Sequence, residues 1–135
     1  MKHPIPNGYI VSPYGLRIRN GIEEFHHGID ISTKETPALI YAPCQMIAII
    51  AGWSNSFGNR IWVKLLEGEH KNKYMVFAHM QKLNKQISPN FKLNKGDLIG
   101  WMGSTGLSSL PHLHQEIRLL PTLGSKSFDC ASYIY

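Results

Sequence analysis

Five side chains, spread over three short apolar stretches, have the types and spacing to hold a metal ion and move protons. The first stretch is His26-His27-Gly28-Ile29-Asp30-Ile31. In an extended chain successive side chains alternate faces, so His26, Gly28 and Asp30 share one side and Ile29 and Ile31 point into apolar surroundings. An imidazole and a carboxylate, both good zinc ligands, then flank a glycine that leaves room between them. The second stretch is Pro111-His112-Leu113-His114-Gln115-Glu116-Ile117-Arg118-Leu119. The same alternation gathers His112, His114, Glu116 and Arg118 on one face and leaves Leu113, Ile117 and Leu119 for the core. The third, Tyr74-Met75-Val76-Phe77-Ala78-His79-Met80, is apolar and closes on His79. Each alone has a bland explanation: a polar strand face, a chance His-x-His pair, a structural histidine at a strand end. Together they supply four histidines and one aspartate. Zinc catalysis needs three protein ligands and an open position, and also groups that shuttle protons and steady a developing oxyanion. Three ligands and two spare imidazoles meet both needs.

The elements that must position these residues are short β-strands. Runs rich in Ile, Val, Tyr, Trp and Phe predict strands at 9–12, 28–32, 46–52, 59–66, 73–80, 97–103 and 113–119. Turn signals separate them at 13–15, Asn20-Gly21, 55–58 and 67–72. No segment carries a sustained 3.6-residue period, and the polar stretch 81–94 has room for one helical turn. The expected fold is mostly β, a compact antiparallel sheet or sandwich with little helix. Nothing repeats and no linker is visible, so residues 1–135 are expected to form a single domain.

Composition narrows the class. The chain has 135 residues, 43% hydrophobic and 17% charged, which suits one folded core. Fourteen Lys and Arg against nine Asp and Glu give +5, a surplus that serves solubility or attraction to a polyanion such as cell-wall polymer. Lys71, Lys73, Lys82 and Lys85 fall in loops and connectors, and no nucleic-acid motif is present, so no nucleic-acid partner is expected. No apolar run is long enough to span a membrane. The first residues, Met1-Lys2-His3-Pro4-Ile5-Pro6-Asn7-Gly8, do not read as a secretory leader. The two cysteines, Cys44 and Cys130, lack C-x-x-C spacing and are expected as buried free thiols. The glycines at 96, 100, 103 and 106 fit neither a P-loop nor a dinucleotide fingerprint, and no HExxH helix is present. His3 and His70 match no motif and read as surface residues.

The order and spacing of the motifs resemble the lysostaphin-type, or LytM-like, zinc endopeptidases. The likeness runs from about Ser12 to the end. It takes in Ser12-Pro13-Tyr14-Gly15-Leu16-Arg17, His26-x-Gly28-x-Asp30, Ala51-Gly52-Trp53 followed by Phe57-Gly58-Asn59, and Phe77-Ala78-His79-Met80. It continues through Lys95-Gly96-Asp97-Leu98-Ile99-Gly100 and Gly103-Ser104-Thr105-Gly106 to Pro111-His112-Leu113-His114. Phe77, Met80, Met46 and Gln115 depart from the usual tyrosine, leucine, glycine and phenylalanine.

The resemblance implies one Zn2+ held by His26, Asp30 and His114, with His79 and His112 as the catalytic histidines. It implies a narrow groove walled by loops 54–58 and 106–110, with Trp53, Phe57, Asn59, Ser104 and Thr105 as substrate-binding candidates; Trp101 could line it too, but plain core packing is the expectation for that residue. The substrate implied is bacterial peptidoglycan, cut at peptide cross-links or stem peptides outside the bacterial membrane by a monomer. With no leader visible, delivery by a phage particle, release as a lysin, or excision from a larger secreted hydrolase would each fit. A catalytically silent LytM-like domain that activates another hydrolase is the alternative, and it usually lacks some of the ligands that are all present here. A sugar-transport phosphocarrier with paired histidines would not need Asp30 beside His26.

Overall fold

The computed structural model describes residues 1–108 and 110–134; Ser109, inside the expected loop 106–110, and Tyr135 lie outside the described residues. Twelve strands form among the described residues: β1 Tyr9–Ser12, β2 Gly15–Arg19, β3 Ile22–His26, β4 Gly28–Ser32, β5 Leu39–Tyr41, β6 Met46–Ser54, β7 Gly58–Leu65, β8 Tyr74–Leu83, β9 Lys92–Leu93, β10 Leu98–Met102, β11 Leu113–Arg118 and β12 Ser127–Phe128. Ten of them make one sheet whose main path runs β1-β4-β11-β8-β7-β6-β9, with β10 pairing β5 and β8 and β12 pairing β11. All the pairings along it are antiparallel. The fold is mostly β, as the sequence indicates.

Alternation sorts the centre of the sheet into two faces. Ile29 and Ile31 of β4, Leu113 and Ile117 of β11, and Met75 and Phe77 of β8 are sealed in one core with Ile40, Met46, Ile61, Leu65 and Tyr133. The opposite face of these strands carries Asp30 of β4, His114 and Glu116 of β11, and Val76 and Ala78 of β8. Both cysteines are buried and free, and burial pushes the Cys44 thiol up to about 12.

Gln115 breaks the pattern. It follows His114 on β11, so its side chain points to the core face. It is fully buried, and neither its amide nitrogen nor its amide oxygen has a partner among the described residues. An unpaired buried amide costs about 1–3 kcal/mol. Gln115→Leu is therefore expected to raise unfolding stability by a similar amount in denaturant melts, and a lower melting point would contradict this packing.

Several expectations change. The β2–β3 hairpin is absent from the predicted strands because its apolar residues do not mark a core face: Leu16, Ile18 and Ile22 are 71%, 76% and 67% exposed. Its Asn20-Gly21 turn has φ of 54° and 75°, the left-handed pair of a tight hairpin. The stretch 81–94 contains the end of β8 and β9 rather than a helical turn, since Leu83 and Leu93 pack inward as strand residues. The short 3-10 helix lies instead at Ala131–Tyr133. Trp101 is only partly buried, and Lys82 Nζ sits 4.3 Å above its ring, a cation–π cap rather than a core contact. His70 is no free surface residue: its side chain is 12% exposed and its ring packs against Phe128 and Tyr133.

Candidate metal centre and groove

His26, Asp30 and His114 reach one point from three strands. His26 ends β3, Asp30 is central in β4, and the register sets His114 of β11 directly opposite Asp30. Their donor atoms all lie within 4.8 Å of one another. His26 Nε2 is 3.4 Å from His114 Nδ1 and 3.4 Å from Asp30 Oδ2, and His114 Nδ1 is 2.7 Å from Asp30 Oδ1. Ligands about 2.0–2.1 Å from a tetrahedral zinc stand roughly 3.3 Å apart, so the donor set fits that ion. The outward nitrogens are also occupied in the manner metal-binding imidazoles require. His26 Nδ1 lies 2.9 Å from Pro13 O, to which it can donate, and His114 Nε2 lies 3.2 Å from Glu116 Oε1.

Gly28 makes the convergence possible. A Cβ there would stand 2.4 Å from Gln115 O, 2.7 Å from Glu116 Cγ and 2.9 Å from the His114 ring. The space above this glycine is thus filled by the neighbouring strand and by the very imidazole that joins the cluster.

His79 owes its place to a break in alternation. Ala78 stands opposite His114, on the site face, so a regular strand would send His79 into the core. Instead His79 has φ of 60°, and the β7–β8 register slips between Asn59 and Ile61. This bulge puts two consecutive residues on one face and returns Met80 to the core. The left-handed conformation costs about 1–3 kcal/mol for a residue with a side chain. It is held by the bond from His79 N to Phe57 O, 2.7 Å. His79 Nδ1 donates to Thr105 O at 2.7 Å, and His112 Nδ1 to Leu110 O at 2.8 Å. In its neutral form His79 therefore keeps an unprotonated Nε2. His112 Nε2 is 3.6 Å from Asp30 Oδ1, and the His79 and His112 rings stand 5.1 Å apart.

The cluster opens into a groove of about 310 Å3. Ser56 and Phe57 form one side and Leu107 and Ser108 another, which places both expected loops at the wall. The loops are stitched by Leu107 N to Ser56 O at 3.0 Å. A side chain at Gly58 or Gly106 would collide with the other loop's backbone. Arg17 and Arg19 of the β2–β3 hairpin supply the third side. Arg17 Nη1 lies 3.5 Å from Asp30 Oδ2 and 2.8 Å from Ser12 Oγ. The sequence gives neither arginine a role, although Arg17 closes the motif that begins at Ser12. Their alternation on β2 around the Asn-Gly turn was the available signal.

Of the five substrate-binding candidates, Phe57 lines the groove, and its ring centroid is 5.4 Å from that of His114. Thr105 spends its hydroxyl on Met80 O and Asn59 N, so it braces His79 rather than facing the groove. Asn59 directs its amide to Gln81 O. Trp53 is 58% exposed on β6 with its Nε1 towards Asn55, and Ser104 is exposed; neither is among the residues lining the groove. Tyr14 bonds Ser127, and His27 turns out to the same serine.

The electrostatics favour an anionic carboxylate at the centre. Burial works against ionisation of Asp30, but hydrogen bonds from His114 and His26 and their charge hold it well below the usual carboxylate range. Burial likewise disfavours a charged His114, yet bonds to Asp30 and Glu116 outweigh it and push the ring up to about 9. Burial pushes His79 below its ordinary value.

Comparison with known proteins gives this arrangement a context. The family described as Peptidase family M23 matches residues 24–128. Lysostaphin of Staphylococcus staphylolyticus is 38% identical over 109 residues, 79% of this chain and 21% of lysostaphin. The glycyl-glycine endopeptidase ALE-1 of Staphylococcus capitis is 37% identical over 109 residues, again 79% of this chain and 27% of its own length. The chain thus spans about a fifth to a quarter of these relatives. The catalytic domain of lysostaphin from Staphylococcus simulans superposes with a TM-score of 0.67 at 30% identity, covering 90% of this chain and 85% of that one.

Proposed function

The chain belongs to peptidase family M23, and on that footing we propose that it is a zinc-dependent endopeptidase hydrolysing peptide cross-links or stem peptides of bacterial peptidoglycan. The observation that carries this reading is the convergence of His26, Asp30 and His114 within 4.8 Å, beside two further imidazoles on one groove. The relatives named as lysostaphin and a glycyl-glycine endopeptidase support the substrate class. Residues 1–135 would act as one metallopeptidase unit, as a monomer, outside the bacterial membrane. No helix among the described residues is long and apolar enough to cross one.

His26, Asp30 and His114 would hold the zinc, which when bound polarises a scissile carbonyl and brings the pKa of a coordinated water to about 7. Metal and proton compete for His114 Nδ1, so zinc affinity falls as pH drops. His79 is the proton acceptor: burial keeps it neutral, and its bond to Thr105 O leaves Nε2 bare. The proton taken up by His79 can pass to the leaving amine as the peptide bond breaks, and His112, fixed by Leu110 O, would steady the oxyanion or the amine from Nε2 when that nitrogen carries a proton. Phe57 shields the rings from water, and Arg17 and Arg19 draw the anionic wall to the groove.

The test is turbidity loss of purified peptidoglycan before and after chelation. Lysis should stop with a zinc chelator and return with added zinc. New amino termini on glycine would identify bridge cleavage, and new termini at D-alanyl cross-links the other bond. Undiminished lysis after zinc removal would sink the metallopeptidase reading.

A further inference from the structure

We propose that Glu116, clamped by Arg118, is the positioning residue that holds His114 with Nδ1 towards the metal. The inference rests on His114 being a zinc ligand. Alternation along β11 puts His114, Glu116 and Arg118 on the same face, and the register centres Glu116 between Gly28 of β4 and Val76 of β8. Glu116 and Arg118 are 4% and 5% exposed. Glu116 Oε1 meets His114 Nε2 at 3.2 Å and accepts from Arg118 Nη2 at 3.3 Å, while Oε2 accepts from Arg118 Nε at 3.1 Å. Arg118 is itself tied down by Nη1 donating to Ser125 O at 2.7 Å.

A buried ion pair is a poor source of stability, because desolvating two charges offsets their attraction. Its geometry here has a different consequence. The two-pronged guanidinium fixes the plane of the carboxylate. The carboxylate then accepts the Nε2 proton of His114, which leaves Nδ1 as the atom that faces Asp30 and His26 and would exchange its proton for the metal. A hydrogen-bonded carboxylate also makes the imidazole a stronger donor to a metal. Gly28 admits the arrangement, since a Cβ there would strike both Glu116 and His114.

The test is the zinc dissociation constant, measured by competition with a chromophoric chelator, for the wild type, Glu116→Leu, Glu116→Gln and Arg118→Lys, with near-UV circular dichroism to check folding. Glu116→Leu should weaken zinc binding by about 10–100-fold, and lysis should return at saturating zinc. Glu116→Gln keeps an acceptor oxygen and should retain most of the affinity. Arg118→Lys keeps the charge, loses the two-pronged clamp, and should fall between. Folded Glu116→Leu with wild-type affinity overturns the proposal. If that variant does not fold, wild-type affinity in Arg118→Lys overturns it equally. A wild-type chain that binds no zinc overturns the metal site and this inference together, which separates that failure from one confined to Glu116.

Discussion

His79→Ala and His112→Ala should each keep zinc and lose about 10^2–10^4-fold in turnover on cell walls, the usual contribution of a positioned acid or base. Neither residue belongs to the cluster formed by His26, Asp30 and His114. Each is oriented by a backbone carbonyl, Thr105 O or Leu110 O, so its removal leaves the cluster's own bonds intact. The two variants should differ in their pH profiles. Burial lowers the His79 pKa from its ordinary 6.5, so wild-type lysis should persist below that pH before the acceptor is protonated. With zinc kept saturating at each pH, the part of the acid limb that belongs to His79 should disappear from the residual activity of His79→Ala. His79→Gly should be the more stable of the two replacements at this position, because glycine adopts φ of 60° without strain. Near-wild-type turnover in both alanine variants, with zinc bound, would remove these histidines from the chemistry.

The second large effect is expected at a residue with no functional group. Gly28→Ala should abolish zinc binding and lysis while a β-rich fold persists. The added methyl would stand 2.4 Å from Gln115 O and 2.9 Å from the His114 ring. The carbonyl belongs to the sheet and cannot move alone, so β4 and β11 must part. That movement separates Asp30 from His114, whose pairing depends on the same ladder. A well-folded Gly28→Ala chain with full zinc occupancy would show that the strands are less tightly coupled than their register implies.

Much of this site is legible from alternation. The pairs His26 with Asp30 and His112 with His114 lie two or four residues apart, so strand periodicity predicts their common face. The core partners Ile29, Ile31, Leu113 and Ile117 confirm the direction of the other face. Alternation fails at His79, where strict periodicity points into the core and a left-handed residue reverses it. Nothing in Phe77-Ala78-His79-Met80 marks a bulge, because the distortion is imposed by packing against Phe57 and Thr105. The β2–β3 hairpin is hidden for the opposite reason. It stands off the main sheet, so its exposed Leu16 and Ile18 carry no burial signal, and nothing in the sequence gives the groove-lining Arg17 and Arg19 a role. Trp101 and His70 depart from expectation because a side chain's partners, Lys82 in one case and Phe128 with Tyr133 in the other, lie on elements distant in sequence.

The most direct measurement is the zinc content of the purified chain by elemental analysis, taken with turbidity loss of peptidoglycan, for the wild type and His114→Ala. The predicted result is one zinc per wild-type chain with lysis, and neither zinc nor lysis in a folded His114→Ala variant. A wild-type chain free of zinc that still lyses walls, or a His114→Ala chain that keeps both metal and activity, would contradict the assignment of His26, Asp30 and His114 as the metal centre.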